Sequence, residues 1–285
     1  MEQIKEDQLQ IQCQSEYGDL HKVILCEPQY MEIKDVINEV QKKYINSNID
    51  QSLALSQHKA FETALRKERV EVIKLPPKKN QPEQVFTRDI GFTIGETLFI
   101  SEMANPIRQG EEDVLVQWMN EHQLPYRKLT SYPVEGGDVL VDGKRIFIGI
   151  SDRTSIEAVE ALQNELPNYE VFPVPFNPKY LHLDCVFNIL SPQDALIYPA
   201  ALDSEVIEKL SSMYNLIEVS EEEQFTMGTN VLSIGRNRVF SLPCNQNVNH
   251  QLRKHGDKVI EVDLSEIIKS GGSFRCCSMP VLRSS

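Results

Sequence analysis

The sequence lacks any run approaching the ~18 consecutive apolar residues that a membrane-spanning helix needs, so no membrane partner is expected. Met1 to Gln14 is polar and of mixed charge, without the apolar stretch of a secretory signal or the Arg-rich bias of a transit peptide, which points to a cytoplasmic protein. Cysteine is sparse and unpatterned. The six thiols, Cys13, Cys26, Cys185, Cys244, Cys276 and Cys277, form no C-x-x-C pair and no metal-finger spacing, so free thiols in a reducing compartment are expected. Basic residues are outnumbered, 29 Lys and Arg against 42 Asp and Glu, and the net charge of −13 repels nucleic-acid phosphates, so no nucleic-acid partner is expected. No linker rich in Pro, Gly or Ser divides the chain, and 1–285 reads as a single domain. Assembly as a homodimer is compatible with the sequence.

What is present is a repeat. A turn, a β-rich strand, a helix, a second strand, a loop and a third strand recur five times. The first strands read KVILCEP, TLFISEM, RIFIGIS, ALIYPAAL and RVFSLP, each after a turn signal such as Gly95-Glu96 or Asp142-Gly143. Helical periodicity follows from Ile33 to Tyr44 and on through Ser52 to Lys67, then over Glu111–His122, Ser155–Leu166, Ser204–Tyr214 and Gln246–His255, with Thr154-Ser155 and Asp203-Ser204 as N-cap signals. Second strands read VEVIKLP, PYRKLTSYP, YEVFPVP, NLIEVS and KVIEVD, and third strands IGFTIG, DVLVDG, VFNILS, NVLSIG and SMPVLR. Units of about 45–50 residues argue for an α/β fold, a five-bladed ring of ββαβ modules with helices outside. An ordinary α/β sheet, in which alternation imitates repetition, is the competing interpretation.

Residues able to do chemistry fall in one place of the repeat, the loop between second and third strands. These loops carry Phe86-Thr87-Arg88-Asp89, Glu135-Gly136-Gly137-Asp138, His182-Leu183-Asp184-Cys185, Met227-Gly228-Thr229-Asn230 and Gly271-Gly272-Ser273-Phe274-Arg275-Cys276-Cys277. In a closed ring such loops converge on the axis, giving one pocket with a thiol, an imidazole and several carboxylates. Metal ligation is one use of that set, but Cys276, His182 and Asp89 have no recognised ligand spacing, and no metal or cofactor is expected. Nucleophilic catalysis fits better. A neighbouring imidazolium or a cationic substrate lowers a thiol's pKa and makes the thiolate available. Carboxylates such as Asp89 and Asp184 suit a guanidinium, a planar cation with N–H groups in a fork, whose carbon stays open to attack from Cys276. His182 then protonates the leaving nitrogen and deprotonates water, with Glu135 orienting the ring.

With these residues the chain resembles the guanidino-group-modifying enzymes: arginine deiminases, dimethylarginine dimethylaminohydrolases and amidinotransferases. The likeness runs nearly the whole length, through EYGDLHKV at Glu16 to Val23, FTRD at Phe86 to Asp89, EGGD at Glu135 to Asp138, HLD at His182 to Asp184 and GGSFRCCSM at Gly271 to Met279. The resemblance implies a five-bladed α/β propeller with the active site on its central axis. It implies Cys276 as nucleophile through an S-alkylthiouronium intermediate, His182 and Glu135 as its catalytic partners, and Asp89 and Asp184 as guanidinium-binding acids. It also matches Arg108 and Arg153 to arginines that hold the substrate carboxylate. The length and the Cys276-Cys277 pair look more like dimethylarginine dimethylaminohydrolases, which implies a small guanidino substrate, N-methylated arginine or a relative.

Structural interpretations stand beside each of these. Asp89 could pair locally with Arg88; Asp138 is expected to serve as a structural acid at the Gly136-Gly137 turn, and Cys277 to point away from Cys276. A deiminase or an amidinotransferase would use the same cysteine with another leaving group or acceptor. A non-catalytic scaffold that kept the ring shape is the interpretation from a different class.

Overall fold

A computed structural model describes residues 10–129 and 132–284. Along the chain the elements are β1 (Asp19–Cys26), α1 (Glu39–Tyr44), α2 (Gln51–Lys67), β2 (Glu71–Leu75), β3 (Gly91–Ile94), β4 (Thr97–Ile100), α3 (Asp113–Glu121), β5 (Arg127–Lys128), β6 (Val139–Asp142), β7 (Arg145–Ile150), α4 (Ile156–Glu165) and β8 (Glu170–Pro175). They continue with β9 (Phe187–Ile189), β10 (Asp194–Ile197), α5 (Ser204–Ser211), β11 (Asn215–Glu218), α6 (Glu221–Phe225), β12 (Leu232–Ser233), β13 (Arg238–Ser241), α7 (Gln246–Lys254), β14 (Lys258–Glu261) and β15 (Met279–Ser284). Among the described residues these strands form five three-stranded sheets: β15-β1-β2, β3-β4-β5, β6-β7-β8, β9-β10-β11 and β12-β13-β14.

Every sheet has the same plan. Its central strand pairs antiparallel with one neighbour and parallel with the other, and the parallel pair is joined by a helical crossover. The repeat read from sequence therefore needs one correction. The third strand of a unit does not lie in that unit's sheet; it makes a tight hairpin with the first strand of the next, as β3 does with β4 across Gly95-Glu96. Each unit is thus stitched to its successor, and β15 returns to pair with β1, Asp19 opposite Ser284.

The central strands bury nearly every residue, as β-branched and aromatic runs should when both faces are covered. Two boundaries differ from expectation. The periodicity from Ile33 to Lys67 is cut in two, because Asn48 bonds back to Ile33 through both backbone groups, at 2.9 Å each, and Asp50 starts α2 by accepting from the Leu53 N–H. The strand expected over PYRKLTSYP is only β5, and its Thr130 and Ser131 lie outside the described residues. No described helix is long and apolar enough to cross a membrane.

One piece of core packing reaches the chemistry directly. Phe61 of α2 meets Phe240 and Phe274 edge-on, with centroids 5.3 and 5.2 Å away. Such aromatic pairs add about 0.5–1.5 kcal/mol each beyond their buried area. Phe274 stands two residues before Cys276, so the helix core fixes the approach to the thiol.

Candidate active site

The five polar loops do come together, in a closed cycle of hydrogen bonds. Arg88 N donates to Cys276 O at 3.0 Å, Gly136 N to Asp89 O at 3.2 Å, and Leu183 N to Asp138 Oδ1 at 2.8 Å. Thr229 Oγ1 then donates to Cys185 O at 2.7 Å, and Arg275 N to Asn230 O at 3.3 Å, which returns to the first loop. Each loop leaves a second strand and enters the next sheet, so the repeat itself delivers five loops to one region. Asp138 and the extended backbone of His182 each serve this geometry: the carboxylate holds the Leu183 N–H and the Ser151 hydroxyl, which sets the 3₁₀ turn Leu183–Cys185.

His182 lies fully buried with Nε2 2.8 Å from Glu135 Oε2 and Nδ1 3.6 Å from Asp89 Oδ1. Glu135 is itself fixed by the Ala104 N–H at 3.0 Å. Burial alone would lower the imidazole pKa, but Asp89, the bond to Glu135 and Asp138 outweigh it and push the pKa up to about 9. The ring is therefore an imidazolium between two acids. Burial works against the Glu135 charge, yet the bond to His182 and the charges of His182 and Arg108 hold its pKa below the ordinary value. Gly137 makes this possible, since a Cβ there would lie 2.6 Å from His182 Nδ1 and 2.8 Å from Asp89 Oδ1.

Cys276 is 3% exposed, and its thiol is held by other groups. Asn230 Nδ2 donates to Sγ at 3.0 Å, and the thiol faces Asp184 Oδ2 at 3.5 Å. Asn230 Oδ1 accepts from both the Cys276 and Ser273 N–H groups at 3.1 Å. Among the described residues no hydrogen bond joins the thiol to His182. Burial, then Asp184 and Asp89, push the Cys276 pKa well above its ordinary range, which favours the protonated thiol.

Both acids expected to grip a guanidinium already have arginine neighbours. Asp89 Oδ2 accepts from Arg108 Nη1 at 2.7 Å, while its Oδ1 has no hydrogen-bond partner among the described residues. Asp184 Oδ2 accepts from Arg275 Nη1 at 2.7 Å. The local Arg88–Asp89 pair does not form; Arg88 turns to Glu16 instead, at 3.6 Å. Arg108 also departs from its expected place at the substrate carboxylate. It is buried with Nε and Nη2 on Glu111, at 3.0 and 2.8 Å, so three of its donors serve Glu111 and Asp89. Arg153 lines a cavity of about 470 Å³ with Ala104 and Leu181, and its Nη2 donates to Ile37 O at 3.3 Å.

A larger cavity of about 670 Å³ opens beside it, lined by Asn38, Lys179, Cys185, Met227 and Gly271 among others. Between the two stands the segment carrying α1. Asn38 Nδ2 bonds Ser270 O at 2.9 Å, and Gln41 bonds Ser270 Oγ at 2.8 Å and Glu83 at 2.9 Å. Gly271, at φ +93°, lies so close under Asn38 that a Cβ would come within 2.9 Å of it. Asp89, Glu135 and His182 offer three donors within 4.8 Å of one another. A metal there would have to expel the proton that His182 holds between two carboxylates.

Sequence reasoning placed Asn230 in the fourth of the five loops but gave it no role, since an uncharged amide shows its use only through its partners. It also missed Glu111 and the structural use of Arg275.

The chain is similar in sequence and fold to known proteins. The profile of the family described as N,N dimethylarginine dimethylhydrolase, eukaryotic, matches residues 27–283. The uncharacterized protein YkgA of Bacillus subtilis (strain 168) is 53% identical over 271 residues, 95% of each chain. The N(G),N(G)-dimethylarginine dimethylaminohydrolase of Mycobacterium tuberculosis is 30% identical over 210 residues, covering 73% of this chain and 68% of that one. Among solved structures the N-terminal domain of ArgZ, an arginine dihydrolase from the ornithine-ammonia cycle in cyanobacteria, superposes with a TM-score of 0.85 at 26% identity, covering 93% of this chain and 98% of that one. The class is that of enzymes acting on guanidino groups. Within it, the chain belongs to the dimethylarginine dimethylaminohydrolase family.

Proposed function

We propose that the chain hydrolyses a C–N bond of an N-methylated arginine or related substituted guanidine, releasing an amine and a ureido product such as citrulline. The observation that carries this is the cycle of five loops, which gathers Cys276, Asp184, Asp89, His182 and Glu135 under cover. The same cycle, with five like sheets and the β15–β1 pairing, supports a five-bladed propeller and one catalytic unit spanning 1–285.

The guanidinium enters with one edge toward Asp89 Oδ1 and another toward Asp184, and its charge offsets the two acids that hold the thiol proton in place. The thiol gives that proton up by way of the Asp184 carboxylate it faces at 3.5 Å, the proton ending on the released amine as an ammonium, and the sulfur attacks the guanidine carbon. The His182 imidazolium protonates the departing nitrogen, the amine leaves and an S-alkylthiouronium remains. Neutral His182 next takes a proton from water; the hydroxide adds to the same carbon, and as the C–S bond breaks the hydroxyl proton passes to the departing sulfur, leaving the ureido carbonyl and the resting thiol. Arg153 and the cavity it lines are suited to the substrate's carboxylate.

The test is to incubate the protein with dimethylarginine, monomethylarginine, arginine and agmatine, measuring ureido product together with methylamines or ammonia. Methylamine release is expected, abolished in Cys276→Ser by at least about a thousandfold. Ammonia from arginine alone would assign a deiminase or dihydrolase; turnover surviving Cys276→Ser would end the proposal.

A further inference from the structure

We propose that a small monovalent anion, of halide size, binds in a small cavity against the active-site loops, lined in part by charged side chains, with Arg88 as its principal donor. The cavity measures about 10 Å³ and is lined by Cys13, Ser15, Glu16, Arg88, Thr93 and Arg283, with four apolar or proline neighbours. That is room for about one water-sized guest, too little for sulfate, phosphate or a carboxylic acid.

The reason is an imbalance of charge. Arg88 is 4% exposed, sends Nε to Arg275 O at 3.4 Å and Nη1 toward Glu16 at 3.6 Å, and its Nη2 has no hydrogen-bond partner among the described residues. Arg283, equally buried, spends its donors on the Gly18 and Ser233 carbonyls, at 2.7 and 2.8 Å, with no carboxylate paired to it among the described residues. Glu16 lines the same cavity, but Arg275 takes both its oxygens at 3.2–3.3 Å, and Arg275 also holds Asp184. In direct contacts the three buried guanidiniums of Arg88, Arg275 and Arg283 thus share two carboxylates, Glu16 and Asp184, with Asp19 acting on Arg283 only at longer range. Burial and the neighbouring Arg275 lower the Arg88 pKa to about 10, and burial lowers that of Arg283, as expected of cations short of counter-charge. A water molecule satisfies the orphan N–H but leaves the charge; an anion satisfies both. The inference does not depend on which guanidine is the substrate.

The experiment uses the whole chain, purified and crystallised in sodium bromide, with thermal unfolding measured in chloride against gluconate at constant ionic strength. An anomalous bromide peak beside the Arg88 guanidinium is expected, with Tm rising by about 3 °C per tenfold increase in chloride above the dissociation constant. Arg88→Gln should lose that dependence; should it fail to fold, the two measurements on the native chain still decide. Density without an anomalous signal in the cavity, bromide at surface positions only, or a Tm indifferent to chloride each overturn the proposal.

Discussion

Asn230 holds the proposed nucleophile from two directions, with its carbonyl on the Cys276 and Ser273 amides and its amide on the sulfur. Removing it frees the thiol's orientation and leaves two buried N–H groups unpaired, a loss of about 1–3 kcal/mol. Asn230→Ala should therefore lower kcat by roughly ten- to a hundredfold with KM little changed; steady-state kinetics check this, and an unchanged kcat would show Asn230 to be packing alone. Charged and nucleophilic residues were legible in the sequence because their chemistry is in their identity: Cys276, His182, Glu135, Asp89 and Asp184 all reach the loop cycle. Asn230 was not, since an amide announces nothing until its three partners are known. Arg108 was matched to a substrate carboxylate, yet a buried cation pairs with the nearest acids, and Glu111 lies one helical turn away in sequence.

At the scale of elements, the helix α1 and its flanks cover a site whose reactive groups are buried. Gln41, fully buried, ties α1 to Glu83 and to Ser270 in the segment leading to Cys276. Gln41→Ala should loosen this cover, so that iodoacetamide modifies Cys276 several-fold faster while Tm falls only slightly. Mass mapping of the labelled cysteines reads this out, and an unaltered rate would mean that α1 does not control access. The repeat of strand, helix and strand was readable from periodicity because central strands are buried on both faces and turns carry Gly or Asn. The destination of each third strand was not, because hairpin pairing across unit boundaries depends on the next unit's turn. The split between α1 and α2 was equally hidden, since it rests on Asn48 reaching back fifteen residues to Ile33.

Across the whole molecule, buried acids and the imidazolium give stability a direction with pH. His182, raised from 6.5 to about 9, binds its proton more tightly when folded, so its contribution is full below about pH 6.5 and lost as pH rises through 9. Burial raises Glu83 and Glu111 from 4.5 to about 7, despite Arg108, and their contribution is likewise lost between those values. Glu16 runs the other way. Burial opposes its charge, but Arg275, Arg88 and Arg283 lower it to about 2, so its contribution is present above 4.5 and lost as pH falls toward 2. Stability should peak near about pH 5 and fall toward pH 9, by about 3 kcal/mol from His182 alone and further from Glu83 and Glu111. Denaturant unfolding across that range measures it; stability rising from pH 6 to 9 would contradict the charge states assigned above.

The pairing of β15 with β1 has a consequence for incomplete chains. The stretch that completes the first sheet begins only three residues after Cys276, so completing the architecture and acquiring the reactive sulfur happen together. A product of premature termination or of C-terminal clipping ahead of Cys276 would have an open β-edge and lack the proposed nucleophile. Such a fragment would present an unpaired strand edge to quality control while lacking the sulfur on which the proposed chemistry depends.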